Sequence, residues 1–427
     1  MTSLDEIVRG GAGAAARGEG AIDAKSERSD AAAVLGEMKI GFFIPWITKS
    51  RGGTENVGQM MANAMAKRGH SVQIFTFDDA RAPSQWPLEP SIRLFHLPEC
   101  DPPDESDLQL TMAVAQANVD LIVGLHMNRT FGRYVKCAHR LGLPIVVSEH
   151  IDPKFPQMTG SFTKEERLRY FSGATRIHLL AEAYRDSLPA SFHDRVCVVP
   201  NTVPPARRLA EPGFDAGQKT IITVSRLVPR KRITQLIEAF ALAFLVEPGW
   251  RLRVVGYGPE LPKLKAAARR HNLVSAIEFS GHADDSYSAY EEAQIYCLAS
   301  IFEGFPLTLV EAMAHGLPCL ANFGCPGINA QISDGQTGIL SGAKGSGGTF
   351  AEDLLRLMQD PDLRRRLGAA AHRRYVDNFS EAVVIRQWEE MFRSALTDRQ
   401  MTPAPSERQR NEALLLAELE TQSAQKL

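Results

Sequence analysis

A chain of 427 residues that is 44% hydrophobic and 23% charged has the composition of a globular protein and is too long for a single core, so two or three domains are expected. A formal net charge of −2 gives no overall drive toward nucleic acid, and no uninterrupted apolar run approaches the roughly 18–20 residues that cross a bilayer. Six cysteines, none in a CxxC pair, read as reduced core thiols of a cytosolic protein rather than as a zinc site or a disulfide framework.

Residues 1–36, rich in Ala, Gly and Arg, read as a disordered leader. They begin with acidic residues and hold no apolar stretch of the kind a signal peptide needs. From residue 38 the pattern alternates. A strand over 38–47 leads through Gly52-Gly53 into a helix over 54–68, with Val57, Met60, Met61, Ala64 and Met65 on one face and Gly69 as its stop. Glycines at a strand-to-helix turn let backbone N–H groups approach a phosphate closely, although tight turns use such pairs routinely. Strands are expected over 71–77, 92–97, 120–126, 144–150, 174–181 and 196–200, with helices between most of them. His126 and His150 each end a strand. The Pro-, Gly- and Ala-rich stretch 201–218 reads as a join.

The second half repeats the alternation, with strands over 220–227, 250–257, 276–280, 295–299 and 318–321 and helices over 232–246, 260–271 and 306–315. Apolar strands alternating with amphipathic helices mean a parallel sheet covered on both faces, and two such blocks mean two Rossmann-like domains. Ligands of such sheets bind beyond the C-terminal strand ends, which places a site in the cleft between the domains.

Three segments carry chemistry. Arg226, Arg230, Lys231 and Arg232 crowd the start of a helix, an end that already repels positive charge; the choice makes sense if a diphosphate sits there. Gly256-Tyr257-Gly258 begins a dinucleotide fingerprint, but position 261 is Leu, so NAD binding is rejected; a close backbone approach to a ligand would still use these glycines. Glu303-Gly304-Phe305-Pro306-Leu307-Thr308 places one carboxylate on a turn, and Glu311 places a second on the helix that follows. Two carboxylates able to accept from sugar hydroxyls, beside a helix N-terminus suited to phosphate, form the combination a sugar nucleotide needs. Asp360-Pro361-Asp362 spells the metal-nucleotide DxD pattern but separates two helical stretches and reads as a helix start, so no metal site is assigned. Val384, Trp388, Met391, Phe392 and Ala395 form the apolar face of a late helix.

In this order and spacing the motifs resemble those of the retaining glycosyltransferases numbered family 4, of the α/β GT-B fold. The likeness runs from about residue 38 to 396. It rests on Gly52-Gly53, Ser225-Arg226 with Lys231, the segment 255–260, Phe279-Ser280-Gly281, and above all 303–318. The resemblance implies an N-terminal acceptor domain over 37–205, a nucleotide-sugar domain over 206–379, a helix over 380–398 that crosses back to the first domain, and a tail over 399–427 with a short helix. It implies that Arg226 and Lys231 clamp the donor diphosphate with the Gly53 N–H. Glu303 would engage the donor sugar beside the backbone of Gly304, Phe305, Pro306, Leu307 and Thr308, and Glu311 would hold the ribose. His150 would approach the transferred sugar, and the base would lie near His282 and Ala283. Arg232 and Tyr257 depart from the glycine and aspartate usual in the family.

The function implied is metal- and cofactor-independent transfer of a hexose or N-acetylhexosamine from a nucleotide-diphosphate sugar, UDP first, to a glycan or lipid-linked acceptor of surface polysaccharide synthesis. The alternatives are a nucleotide-sugar epimerase or phosphorylase of the same fold, or an inactive binding partner. The location implied is cytoplasmic. Peripheral contact with the inner membrane face is expected around Phe155, Phe162, Lys164, Arg167, Arg169 and Tyr170, where cations mix with aromatics.

Overall fold

The computed structural model describes residues 36–398 except 49–51, 79–81, 83, 85, 98–102, 126–130, 161–162, 282–286 and 344–347. The leader to residue 35, the tail from 399, Cys100, His126, Phe162, His282 and Ala283 lie outside the described residues.

The first block runs β1 (Lys39–Phe43), α1 (Gly53–Lys67), β2 (Ser71–Thr76), β3 (Arg93–His96), α2 (Pro103–Ala117), β4 (Leu121–Leu125), α3 (Phe131–Leu141), β5 (Ile145–Glu149), α4 (Lys154–Thr159), α5 (Lys164–Ser172), β6 (Arg176–Leu179) and β7 (Val196–Val198). The second runs β8 (Lys219–Val224), α6 (Ile233–Phe244), β9 (Trp250–Val255), α7 (Leu261–Arg270), β10 (Ile277–Gly281), α8 (Tyr287–Glu291), β11 (Ile295–Leu298), α9 (Leu307–Ala314), β12 (Cys319–Asn322), α10 (Pro326–Asn329), β13 (Ile339–Ser341), α11 (Phe350–Gln359) and α12 (Pro361–Arg374), and α13 (Glu381–Thr397) follows.

Every strand of β4, β5 and β11 is buried along its whole length, as sheets covered by helices on both faces require. The seven-stranded sheet is ordered β3-β2-β1-β4-β5-β6-β7 and the six-stranded sheet β10-β9-β8-β11-β12-β13, with parallel pairing throughout. In each sheet the chain winds out in one direction and then returns to wind in the other. The reversals fall between β1 and β4 and between β8 and β11, and such switch points open crevices at the C-terminal strand ends.

α13 lays Val384, Trp388, Met391, Phe392 and Ala395 against Ile40, Phe42 and Val123 of the first sheet. Phe392 meets Phe42 edge-on with ring centroids 5.9 Å apart. The carboxylate of Glu389 accepts from Arg68 (2.6 Å), Arg393 (2.8 Å) and His70 (3.3 Å), which ties this helix to the end of α1. No helix among the described residues is long and apolar enough to cross a membrane.

Three expectations change. β13 is a strand absent from the sequence pattern, too short at three residues to show a period. The basic run does not open a helix directly: Pro229–Lys231 form a 3-10 turn and Arg232, at φ 48°, caps α6. The cation–aromatic surface proposed for a membrane is not assembled. Arg167 is 1% exposed and makes two bonds of 2.7 Å to Glu149, and Tyr170 packs against the core beside Gly132. Phe155 meets Phe302 of the second block with centroids 6.2 Å apart. Lys164 and Arg169, like Lys154 beside Phe155, are exposed.

Candidate active site

The loops that leave β8 and β11 flank the switch point of the second sheet. The β8 loop carries Arg226, Arg230 and Lys231; the β11 loop carries the turn Glu303–Pro306 and leads into α9. Lys231 and Glu303 form an ion pair in which both side chains are about nine-tenths buried. Arg230 lies 3.8 Å from the second carboxylate oxygen of Glu303, donates to the Phe302 carbonyl (3.2 Å) and sits over the Phe155 ring at 5.4 Å. Arg226 is exposed, and its side chain has no ion pair or hydrogen bond among the described residues.

Gly256 and Gly258 shape that loop. Their φ angles are 137° and 155°, and a Cβ would fall 1.9 Å from the Ser225 carbonyl oxygen or 2.4 Å from that of Leu227. These glycines therefore permit a close approach to the chain's own backbone at Ser225 and Leu227. The Leu227 N–H donates to the Tyr257 carbonyl (2.8 Å), which sets the height of Arg226 above the sheet.

The turn before α9 has its carbonyls turned inward and held. Tyr184 donates its hydroxyl to the carbonyls of Glu303 and Gly304 (2.9 and 2.8 Å), Asn201 donates to that of Phe305 (3.1 Å), and Gln331 to that of Pro306 (3.3 Å). The N–H groups of Gly304, Phe305, Leu307 and Thr308 have no acceptor among the described residues. Pro306 is the N-cap of α9, one position earlier than the sequence placed it, and contributes no N–H. Gly304 admits no side chain: a Cβ would lie 2.6 Å from the His150 carbonyl oxygen on one side, while Gly327 crowds its own carbonyl on the other.

The first sheet faces this turn. Gly52 is the N-cap of α1, and a Cβ on Gly53 would lie 3.7 Å from Leu307, so the N-termini of α1 and α9 meet across the cleft. Each brings partial positive charge and unpaired N–H groups to one place. His150 follows β5. Its Nε2 is 2.7 Å from Ser148 Oγ, which is 2.6 Å from His178 Nδ1, and His178 Nε2 is 2.8 Å from the Val199 carbonyl. A carbonyl only accepts, so His178 carries its proton on Nε2 and accepts from Ser148 on Nδ1. Ser148 then accepts from Nε2–H of His150, which fixes the tautomer of that ring. Trp388 of α13 packs on both imidazoles.

Glu311 points elsewhere. Its carboxylate accepts from Tyr290 (2.7 Å) and lines a cavity of about 570 Å³ with Asn56 and Met60 of α1, Thr202 and Tyr287. Burial pushes the Glu311 carboxyl above its ordinary range, and the Tyr290 hydrogen bond pulls it back. Asp360 caps α12 by accepting from the Leu363 N–H (2.8 Å), and Asp362 pairs with Arg365. Sequence reasoning missed Tyr184, Asn201, Gln331 and Trp388 as neighbours of the site; no local signal marks them.

Two facing parallel-sheet domains, with helix N-termini meeting in the cleft between them, define the GT-B class of glycosyltransferase. The chain aligns with the crystal structure of Anabaena HepE in complex with UDP and glucose at a TM-score of 0.65 and 17% identity, over 83% of this chain and 99% of that one. Residues 51–207 match the family described as Glycosyltransferase Family 4, and residues 207–374 match that described as Glycosyl transferases group 1. The chain belongs to this glycosyltransferase family. It is 28% identical over 313 residues to an uncharacterized glycosyltransferase of Haemophilus influenzae, covering 71% of this chain and 85% of that protein. It is 27% identical over 396 residues to an exopolysaccharide phosphotransferase of Streptomyces coelicolor, covering 85% of this chain and spanning only 41% of that protein's length.

Proposed function

We propose that the chain moves a hexose or N-acetylhexosamine from a UDP-sugar to a glycan or lipid-linked acceptor of surface polysaccharide, with retention at the anomeric carbon. The observation that carries this reading is the set of four acceptor-free N–H groups at Gly304, Phe305, Leu307 and Thr308, beside Glu303 and Lys231 and opposite the N-terminus of α1. Such a cradle suits the oxygens of a sugar diphosphate. The UDP and glucose bound to the HepE structure and the polysaccharide named for the Streptomyces relative support the donor and acceptor classes.

In this reading the acceptor hydroxyl attacks the anomeric carbon on the face that the diphosphate leaves, and a leaving-group oxygen takes the proton. Arg226 and Lys231 stabilise the charge that builds on the diphosphate, and Glu303 holds sugar hydroxyls. The Lys231–Glu303 ion pair must then rearrange when donor enters. Glu311 holds the ribose in the cavity it shares with α1.

Calorimetry with UDP-, GDP- and ADP-sugars tests this directly. One class, UDP-sugars, should bind, and Arg226→Ala and Lys231→Ala should each weaken it by about 10- to 100-fold, the range of a lost charge-assisted contact of ~1.5–3 kcal/mol. Arg226→Ala should leave the melting temperature unchanged, whereas Lys231→Ala should lower it by stranding the buried Glu303 carboxylate. Parent-like affinity in both variants would remove the diphosphate clamp.

A further inference from the structure

The turn that carries Glu303 is held by residues from outside its own sheet. Tyr184 lies in the turn between β6 and β7, and Asn201 follows β7, so both come from the chain of the first sheet. Tyr184 is 3% exposed and Asn201 is 6% exposed. Together they hold the carbonyls of Glu303, Gly304 and Phe305. A tyrosine has one hydroxyl proton, which these two carbonyls share, so both are drawn toward the same side of the turn.

Peptide planarity turns this into a statement about the cleft. In a trans peptide the C=O and the following N–H point in opposite directions. With the Glu303 and Gly304 carbonyls drawn toward Tyr184, the N–H groups of Gly304 and Phe305 face away from it. The Pro306 carbonyl is held toward Gln331, so the Leu307 N–H faces away from Gln331. These are three of the four N–H groups that lack an acceptor. We propose that Tyr184 and Asn201 are positioning residues for glycosyl transfer, reaching across from the first domain to hold the donor turn with its N–H groups toward the substrate. The inference rests on the reading of that turn as the donor cradle.

Freeing the turn leaves every proposed ligand in place but lets the cradle wander, and misplacement by about 1 Å can cost about 100-fold in rate. The full chain is compared as parent, Tyr184→Phe, Asn201→Asp and Thr175→Val. The last removes an equally buried hydrogen bond, from the Ile145 N–H (3.0 Å), at the end of β5 remote from His150. Tyr184→Phe and Asn201→Asp should lower kcat/KM for the sugar donor that the parent turns over by about 10- to 100-fold. The dissociation constant for the matching nucleoside monophosphate should stay within about twofold, because that ligand does not reach the turn. Amide exchange in a peptide spanning 303–310 should quicken in both, since the Leu309 and Val310 N–H groups bond to Pro306, and should not change in Thr175→Val. Equal loss of kcat/KM in Tyr184→Phe and Thr175→Val, or parent-like kcat/KM in both turn variants, overturns the proposal. If the parent turns over none of the three donor classes, the donor reading fails, and the exchange comparison alone decides whether Tyr184 orders the turn: parent-like exchange overturns it. If Tyr184→Phe fails to fold, Asn201→Asp decides by the same two measures.

Discussion

His178 shows how one buried side chain sets the state of its neighbours. Burial lowers its pKa from 6.5 to about 4, against a weaker pull from the hydrogen bond to the Val199 carbonyl. The neutral ring it enforces is the one that lets Ser148 donate to His178 and accept from His150. Between pH 6.5 and about 4 the unfolded chain binds a proton at this residue that the folded chain refuses. The linkage slope is therefore positive, and stability falls as pH falls through that window, by ~3 kcal/mol in all if the unfolded residue titrates normally. His178→Gln can keep the bond to Val199 without a proton to bind. Urea midpoints taken from pH 7 to 4 should fall more steeply for the parent than for this variant. Parallel profiles would show that His178 carries no proton linkage. The carboxylates that also titrate there act alike in both proteins.

At the level of elements, β5 and α5 are joined by the Arg167–Glu149 pair, 1% exposed on both sides, with two bonds of 2.7 Å and a further pair of contacts to Ser187. Glu149 is the last residue of β5, so this pair also fixes where His150 begins. Breaking a buried pair from one side strands a charge; Arg167→Met should cost about 3–5 kcal/mol in chemical denaturation, and the double variant with Glu149→Met should recover much of it. An additive double variant, as unstable as the sum of the singles, would mean the pair does not act as a unit. The same pair explains where the sequence misled. Helical periodicity cannot distinguish a cation solvated on a surface from one buried opposite a carboxylate on another element, so α5 read as a membrane-facing surface. Gly256 and Gly258 were legible as positions of close approach, but that the Ser225 and Leu227 carbonyls crowd them depends on the loop after β8, which the local sequence does not show. Tyr184 and Asn201 were illegible because each acts on a carbonyl more than 100 residues away, at separations of 119 and 104. The strand-helix alternation, by contrast, was plain, because a sheet buried on both faces needs unbroken apolar strands and one-sided helices. Strand and helix limits moved by a residue or more where turns and caps, rather than hydrophobic period, decide the end.

Across the whole molecule, the two sheets supply the cleft with positive potential from different sources. α1 and α9 bring their N-termini together at Gly53 and Leu307, each equivalent to roughly half a unit charge, and Arg226, Arg230 and Lys231 add whole charges. Glu303 offsets one of these cations before donor arrives. This arrangement can meet a departing diphosphate with fixed dipoles and side-chain cations, the task that a divalent ion performs in other nucleotide-dependent transferases. Transfer should therefore keep its rate to within about twofold in excess EDTA, since the stabilising charge belongs to the protein. It should fall with rising salt more steeply in the parent than in Arg226→Ala, because Arg226 is the exposed, screened member of the set. Complete loss of activity in EDTA, restored by manganese or magnesium, would contradict this electrostatic account. It would return attention to Asp360 and Asp362. In the structure Asp360 caps α12 through one carboxylate oxygen and Asp362 pairs with Arg365, so recruiting both as ligands would compete with that cap and that pair.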